Sequence, residues 1–490
     1  MTLVQQGRLP AAIDLLEKLT AESPQDVKAL NLLGIALSAV GDLEKANNRL
    51  RQALRVDSAY LPALRNLSVN QFTLGDVDQA KAGLETILKS SPNDEVAHVY
   101  LGEIAFGKKQ FAEAVVHYEK GRAKAYPVIL HYAECLLQTG RKDALSAVLR
   151  AIPAEDTGKQ FQAGLLLGET GSYLEAAPYF ERARAHASDP YTAAYDQTLM
   201  LVRGGDHPKA IQLASELFSS GLGRAELYNL VSEAYLKTGN VEKACDMLRA
   251  AIKLEPEAED SYVDLAGIYL DRGNFELGSE IVDAGLKRLP ESYRLHLHRG
   301  LLLAQQGLAR ASIGDFEKAS RLSPTQSLPY VVLGFAWMQT GEIPRAVEVL
   351  QAQVKLKPDD FMLPYILGIA LTRSSTEAGA EAKAAFEMSV RLNPRFSRSR
   401  AEMGKLLLQS GDVKGAIEQL ETAVTLDPED STAAYQLGQA YRRTGDAARS
   451  QEMLARVVKL RHQKDEGDPN QEMKRLIRDG IASEQHPVAK

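Results

Sequence analysis

The fold is decided by residues 225–258, AELYNLVSEAYLKTGNVEKACDMLRAAIKLEPEA. Its first part places apolar and small residues on one helix face, at a recurrence of three or four positions: Tyr228, Val231, Ser232 and Tyr235. Gly239 follows and can adopt the left-handed conformation that ends a helix. A second stripe then includes Ala244, whose small side chain lets two helices lie close together, and Pro256 stops the pattern. The stretch therefore predicts a helical hairpin.

The same pattern recurs about every 34 residues, and a fixed period of this size is typical of a stacked helical array. Three columns return in step: a small residue in the first helix, an alanine in the second and a closing proline. Complete units begin at 13 positions: Val27, Leu61, Glu95, Tyr126, Thr157, Tyr191, Ala225, Glu259, Tyr293, Ser327, Phe361, Ser397 and Ser431. The sequence thus predicts an all-α chain in which each hairpin contacts its neighbours rather than one central core.

At these residues the sequence resembles the tetratricopeptide repeat family, whose pattern of tryptophan, leucine-glycine, tyrosine, alanine, phenylalanine, alanine and proline it follows over nearly nine tenths of its length. The resemblance implies a right-handed superhelical solenoid of about 13 helix-turn-helix units. It also implies that positions two, five, nine, twelve and thirteen of each unit, here called the groove positions, line a concave surface. The pattern residues hold helices together, so function has to be argued from sites.

The periodicity sets the expected domain limits. We expect a truncated first repeat, a tandem array, a linker with a capping helix and a disordered tail, at residues 1–26, 27–464, 465–480 and 481–490. The units from Glu95 and Tyr126 are about 31 residues long, which predicts an irregular pitch there. The unit from Phe361 carries about two extra residues in its turn.

Composition excludes several classes of protein. The net charge of -6 gives no basic face dense enough for a nucleic acid, and no run approaches the ~20 apolar residues of a membrane span. Cys135 and Cys245 lie three units apart, so we expect two free thiols. The sequence as numbered predicts a cytoplasmic location, but an export segment upstream of Met1 would make the protein periplasmic or exported.

The patterns typical of catalysis are nearly absent, and we expect no catalytic residue, cofactor or metal. Gly102 to Lys109 comes within one residue of a phosphate-binding loop, but a lysine replaces the Ser/Thr that binds magnesium, and no strand precedes it. His131 and Cys135 are four apart on one predicted helix, as two zinc ligands can be, but no second pair accompanies them. Both patterns are interpreted as structural.

The groove positions change character along the chain. Early and middle units offer carboxylates: Glu103, Glu134, Glu169, Glu226, Glu233, Asp260 and Asp271. The last units offer cations: Arg373, Arg398, Lys405, Arg442 and Arg443. Between them lies an apolar stretch, from which we predict a partner-binding patch: Val331, Phe335, Met338, Met362, Tyr365 and Ile369, with Arg373 adjoining. The alternative is that the superhelix winds tightly enough to bury the apolar residues.

These features favour a non-catalytic scaffold that binds proteins or peptide segments along the concave face, with a partner that is amphipathic and acidic at one end. Two other hypotheses remain open. One is a structural component of a bacterial-type envelope export or exopolysaccharide assembly. The other is the substrate-recognition arm of an enzyme whose catalytic domain is absent from this chain.

Overall fold

The computed structural model describes residues 8–122, 128–375 and 379–463. The chain divides into two compact units. The N-terminal unit comprises Met1–Gly223 and Glu233–Thr238, and the C-terminal unit comprises Arg224–Ser232 and Gly239–Lys490. Throughout the described ranges the regular elements are α-helices, and no strand occurs.

The N-terminal unit is built from a leading helix and six hairpins. Its helices are α1 Leu9–Glu22, α2 Val27–Ala39, α3 Leu43–Val56, α4 Leu61–Thr73, α5 Val77–Ser90, α6 Glu95–Gly107, α7 Phe111–Lys120, α8 Ile129–Gln138, α9 Lys142–Leu149, α10 Thr157–Glu169, α11 Tyr173–Ala185, α12 Tyr191–Arg203 and α13 His207–Ser219.

The next helix, α14 Ala225–Lys237, contributes residues to both units. The C-terminal unit continues with α15 Val241–Leu254, α16 Glu259–Asp271, α17 Phe275–Arg288, α18 Tyr293–Gln305, α19 Ala309–Leu322, α20 Leu328–Thr340, α21 Ile343–Leu356, α22 Met362–Ser374, α23 Gly379–Leu392, α24 Ser397–Ser410, α25 Val413–Leu426, α26 Ser431–Arg443 and α27 Ala447–Gln463. After α1, the helices of the described residues therefore form 13 hairpins, which confirms the predicted all-α solenoid architecture.

Inside a hairpin, a glycine of the first helix lies against a large side chain of the second. A methyl group on Gly300 would stand 2.4 Å from the Phe316 ring, so only glycine lets the two helices approach this closely. Phe316 follows Gly300 by 16 positions, whereas Phe386 follows its partner Gly368 by 18. This difference of two residues confirms the predicted longer turn in the hairpin of α22 and α23.

The boundaries of the hairpins follow from local chemistry. Asp26 begins α2 by accepting hydrogen bonds from two backbone N–H groups of the first turn, at 2.9 and 3.0 Å. Gly41 ends the same hairpin's first helix with a φ of 84°, a conformation that favours glycine. The hairpins made by α6 to α9 contain the shortest helices of the described chain, in line with the shortened units expected there.

Several of the loops between hairpins are held by a side-chain hydrogen bond that no sequence pattern predicts. The side chain at position four of a unit reaches back to the carbonyl of the preceding proline, although its chemical type varies. The ring Nε2–H of His98 donates to the Pro92 carbonyl at 2.9 Å, and the Tyr262 hydroxyl donates to the Pro256 carbonyl at 3.0 Å. Gln160, His296 and Arg400 make the corresponding bond. The bond ties the start of one hairpin to the end of the previous one.

Some predictions fall on residues that the structure does not describe. These are the start of the truncated repeat, the link before Val128, most of the inserted turn after Ser375, the linker and capping helix at 465–480 and the tail at 481–490. No helix in the described part of the chain is long and apolar enough to cross a membrane.

Candidate functional site

The apolar residues predicted to bind a partner lie on two first helices of the C-terminal unit. Helix α20 carries three of them and α22 the other three, and all six side chains are buried: Val331, Phe335, Met338, Met362, Tyr365 and Ile369. The expectation of an exposed apolar patch is therefore wrong. Arg373, near the end of α22, is exposed as expected.

The burial has a partial explanation in the packing of neighbouring helices. Helix α20 packs extensively on α19, α21 and α22, and α22 packs extensively on α20, α21 and α23. Tyr365 also meets the Phe396 ring edge-on, with ring centroids 5.1 Å apart. As a result every residue from Met362 to Leu371 is buried, so no side of this part of α22 faces solvent. A single buried cluster then runs through the C-terminal unit from Tyr262 to Val457.

Some apolar groove positions elsewhere in the chain are exposed, although others, such as Val202 and Leu270, are buried. At position nine, Leu165 of α10 is 44% exposed, whereas Phe335 of α20 is 2% exposed. At position two, Val96 of α6 is 40% exposed, whereas Leu328 of α20 is 4% exposed. Since these side chains are all large and apolar, neither the repeat position nor the residue type accounts for the burial of α20 and α22.

A stripe of carboxylates lies on α16, the first helix of the hairpin two before that of α20. Asp260, Asp264 and Asp271 are exposed on α16, and their spacing of four and seven residues places them on one helix face. Arg294 of α18 forms ion pairs with Asp260 and with Glu259, the latter at 3.2 Å. Sequence reasoning named Asp260 and Asp271 but missed Asp264, because it considered only the groove positions that the family resemblance implies.

Cations lie on the other side of the apolar region. Arg373 and Arg442 are exposed, at the ends of α22 and α26. Lys405 of α24 forms an ion pair with Glu402 at 3.2 Å, and Arg443 donates to the Leu408 carbonyl at 2.5 Å. The C-terminal unit thus presents carboxylates on α16, apolar groove positions on α18, α20 and α22, and basic residues from the end of α22 onward.

In the N-terminal unit, the predicted groove carboxylate Glu103 belongs to a polar cluster. Its carboxylate accepts a hydrogen bond from the Tyr118 hydroxyl at 2.6 Å and lies 3.0 Å from Nδ1 of His131. The hydrogen bond with Glu103 is the main reason that the pKa of His131 is raised. The Phe106 ring stacks on the imidazole with centroids 4.3 Å apart. Glu103 is thus engaged within the fold.

The two patterns that resembled ligand sites have structural roles. Gly102 lies inside α6, where a methyl group would stand 2.7 Å from the Tyr118 ring, so it serves helix contact rather than phosphate binding. Cys135 is fully buried, and burial raises the pKa of its thiol to about 12. The described residues contain no cluster of three or more His, Cys, Asp or Glu side chains placed to hold a metal ion.

One buried group resembles a catalytic arrangement and is better explained by packing. His296 Nδ1 lies 2.8 Å from a carboxylate oxygen of Asp315, which also accepts hydrogen bonds from Arg299 at 2.7 and 2.8 Å. The other ring nitrogen of His296 bonds to the Pro290 carbonyl at 3.0 Å. Both nitrogens are therefore engaged, and His296 and Asp315 are buried, so this group links helices α18 and α19.

Comparison with known proteins agrees with this architecture. Family models described as Tetratricopeptide repeat match residues 1–46, 37–100, 161–220, 225–257, 263–327 and 407–467. The chain belongs to the tetratricopeptide repeat family. The matches fall in both compact units, as do the hairpins.

The similar proteins are distant. DnaJ homolog subfamily C member 3 of Gallus gallus is 27% identical over 38% of this chain and 42% of its own length. Protein CTR9 homolog of Arabidopsis thaliana is 20% identical over 81% of this chain and 36% of its own length. The chain thus spans less than half the length of these curated relatives. Yeast Tom70 is a similar solved structure, 16% identical, with a TM-score of 0.43 over 94% of this chain and 96% of its own.

Proposed function

We propose that this tetratricopeptide repeat protein is a non-catalytic scaffold that holds an amphipathic segment of another protein against the groove positions of α20 and α22. The observation that supports the proposal is the concentration of large apolar side chains at groove positions of successive first helices in the C-terminal unit. Two of them, Met338 and Met362, are unbranched and can adapt to partners of different shape.

The character of the partner follows from the residues around the apolar region. Arg373 lies one turn beyond Ile369 on α22 and is exposed, so it can pair with a carboxylate on the bound segment. A segment with apolar residues every three or four positions and an acidic residue at one end fits this surface. Since the six apolar side chains are enclosed, such a partner reaches them only by displacing whatever encloses them.

A selection from a displayed peptide library, with the full-length chain as bait, tests the proposal. We expect enriched peptides to carry apolar residues at helical spacing and Asp or Glu near one end. Reversal of charge in Arg373→Glu should weaken the binding of an enriched peptide by about fivefold to tenfold, because an exposed ion pair contributes modestly and its reversal adds repulsion.

The matched control is Arg391→Glu, an exposed charge reversal on α23, the second helix of the same hairpin. This variant should bind the peptide as the unmodified chain does. If no peptide is enriched, or if binding is unaffected by Arg373→Glu, the groove of α20 and α22 is not a partner site.

A further inference from the structure

Asp196 of α12 is a half-buried carboxylate that the rest of the chain leaves without a counter-charge. It is the sixth residue of its unit, next to groove position five. No group in the described ranges forms a hydrogen bond or an ion pair with its carboxylate. Burial therefore raises the pKa of this carboxyl group. The exposed Arg203 lies seven residues later on α12, roughly 10 Å further along the helix axis, and forms no ion pair with it.

Polar side chains at position six of other units do have partners. The Asn66 amide donates to the side-chain oxygen of Asn31 at 2.9 Å, and Glu402 forms an ion pair with Lys405 at 3.2 Å. An ionised carboxylate that is half-buried without such a partner is costly to the fold. Asp196 is therefore a group whose missing partner can come from outside the chain.

Helix α10 carries a glycine at the position that faces position six of the next first helix. In earlier hairpins this position carries an aromatic ring: Phe72 of α4 meets the Tyr100 ring of α6 edge-on, with centroids 5.4 Å apart. Phe106 of α6 likewise packs on a ring of α8. Gly168 of α10 precedes Asp196 by 28 positions, as Phe72 precedes Tyr100. The place that a ring fills in those hairpins therefore has no side chain beside Asp196.

The helix packing is also less close at this place. Successive first helices from α2 to α10 pack directly on one another, whereas α10 and α12 make few direct contacts. Leu165 of α10 is 44% exposed, and Glu169 lies one turn later on the same helix face and is also exposed. The surface between α10 and α12 thus combines an apolar side chain with the carboxylates of Glu169 and Asp196.

We propose that the surface between α10 and α12 binds a basic segment of a partner protein. The cationic group of a lysine or arginine of that segment pairs with Asp196, and its aliphatic stem lies in the place beside Gly168, against Leu165. This surface belongs to the N-terminal unit, so the inference goes beyond the function proposed for α20 and α22 and does not rest on it.

The charge and the shape of the surface select this chemistry. A lysine or arginine supplies the counter-charge that Asp196 lacks, and a charge-assisted hydrogen bond to a half-buried carboxylate is stronger than one in open water. Its methylene stem covers apolar surface while the charged end reaches the carboxylate. A metal ion is a poorer fit, because no three metal-ligating side chains are grouped together in the described ranges. An acidic segment would be repelled by Glu169 and Asp196.

The test selects peptides that depend on Asp196. A displayed library of random peptides is passed over the full-length variant Asp196→Asn to remove its binders, and the remainder is selected on the unmodified chain. We expect the enriched peptides to share a lysine or arginine next to an apolar residue. For a fluorescently labelled enriched peptide, Asp196→Asn should weaken binding by about tenfold in fluorescence anisotropy, because the cation of the peptide loses its partner.

A double-mutant cycle shows whether the cation of the peptide and Asp196 are in contact. Replacement of the basic residue of the peptide by norleucine keeps an aliphatic stem and removes the charge, so it should also weaken binding by about tenfold. The two changes together should weaken binding little more than either alone, because both remove the same interaction. The matched control is Glu181→Gln, the same change of charge on an exposed residue of α11, which should leave binding unchanged.

Gly168→Phe tests the place of the bound side chain. It adds the ring that α4 and α6 carry there, and the first atom of the new side chain would meet the flexible end of Met200, 3.1 Å away. We expect the chain to fold and to bind the peptide at least about tenfold more weakly, because the ring fills the place of the peptide side chain. Asp196→Asn should not lower the midpoint of thermal unfolding, because no hydrogen bond or ion pair of the described chain is lost.

The inference is wrong if no enriched peptide distinguishes the unmodified chain from Asp196→Asn, or if the enriched peptides carry no basic residue. It is also wrong if the two losses in the cycle are additive, or if Gly168→Phe binds the peptide as the unmodified chain does. A thermal midpoint lowered by more than about two degrees in Asp196→Asn would overturn it as well, because Asp196 would then serve the fold.

Arg373→Glu separates this inference from the proposed function. The peptides that depend on Asp196 should bind this variant as they bind the unmodified chain, since Arg373 belongs to the other compact unit. A loss of their binding in Arg373→Glu would assign them to α20 and α22 and overturn the inference. If only peptides that depend on Arg373 are enriched, the proposed function stands and this inference fails.

Discussion

Helix α10 of the N-terminal unit and helix α20 of the C-terminal unit occupy the same place in their hairpins, yet their groove positions differ in exposure. In both, a glycine of the first helix lies against a large side chain of the second helix: Gly164 against Phe180 in the hairpin of α10, and Gly334 against Leu350 in the hairpin of α20. At position nine, however, Leu165 is exposed and Phe335 is buried. The contacts inside a hairpin are therefore repeated along the chain, whereas the surface of the groove is specific to each region.

Repeat position therefore predicts a hairpin's internal packing but not the solvent exposure of its groove side chains. The N-terminal unit contains separate buried clusters, such as the one from Ala80 to Ile104, whereas one cluster extends from Tyr262 to Val457 in the C-terminal unit. Burial of apolar surface contributes about 25 cal/mol per Å² to the free energy of unfolding. We therefore expect the two regions to respond differently to the same substitution.

The largest expected effect is on stability. Phe335→Glu places a charge where the side chain is enclosed and should lower the free energy of unfolding by about 3 kcal/mol. Leu165→Glu, at the same repeat position but exposed, should change it by less than about 0.5 kcal/mol. Urea denaturation followed by circular dichroism measures both. If the two substitutions lower the free energy of unfolding equally, the two groove positions do not differ in burial as described.

A smaller effect is expected from the histidines at position four, which meet different partners in the two units. His98 Nδ1 lies 3.0 Å from Nδ1 of His117, whereas its counterpart His296 faces Asp315. Burial, with the neighbouring His98, lowers the pKa of His117. Because the unfolded chain then binds more protons, stability falls as the pH drops below about 6.5 toward the folded pKa.

His117→Gln removes this titration and should reduce the loss of thermal stability between pH 7.5 and pH 5.5 by about one degree. The charged groups Glu113, Lys81 and Lys120 near His117 are unchanged in the variant. His131, whose raised pKa acts in the opposite direction, is present in both chains and does not affect the comparison. If the two chains show the same pH dependence of thermal stability, the lowered pKa of His117 does not contribute to it.

The smallest effect is local and spectroscopic. Glu103→Gln removes the carboxylate that raises the pKa of His131, so this pKa should fall toward its usual value of about 6.5 in a proton NMR titration. Glu134→Gln serves as the control, because Glu134 acts on His131 only through weaker electrostatic attraction. If the control shifts the pKa as much as Glu103→Gln does, the hydrogen bond is not the dominant cause.

Much of the fold could be predicted from sequence, because a hairpin is specified by residues close together in the chain. The two-residue difference between the Gly368–Phe386 and Gly300–Phe316 pairs corresponds to the two extra turn residues that the sequence pattern predicts. The tie between position four and the preceding proline could not be predicted, since His98, Gln160 and Tyr262 make it with different chemical groups. A column without a common residue type has no pattern to detect.

At the candidate site, the local sequence pattern predicts the positions of the residues but not their burial. The sequence alone determined that Val331, Phe335 and Tyr365 lie on the first helices of successive hairpins, because helix periodicity and turn chemistry act within about 34 residues. Only the tertiary structure decided that these side chains are enclosed while Leu165 is exposed, because burial depends on which distant parts of the chain pack over a surface. That packing is a sum over contacts between residues far apart in sequence, and no periodic pattern encodes it.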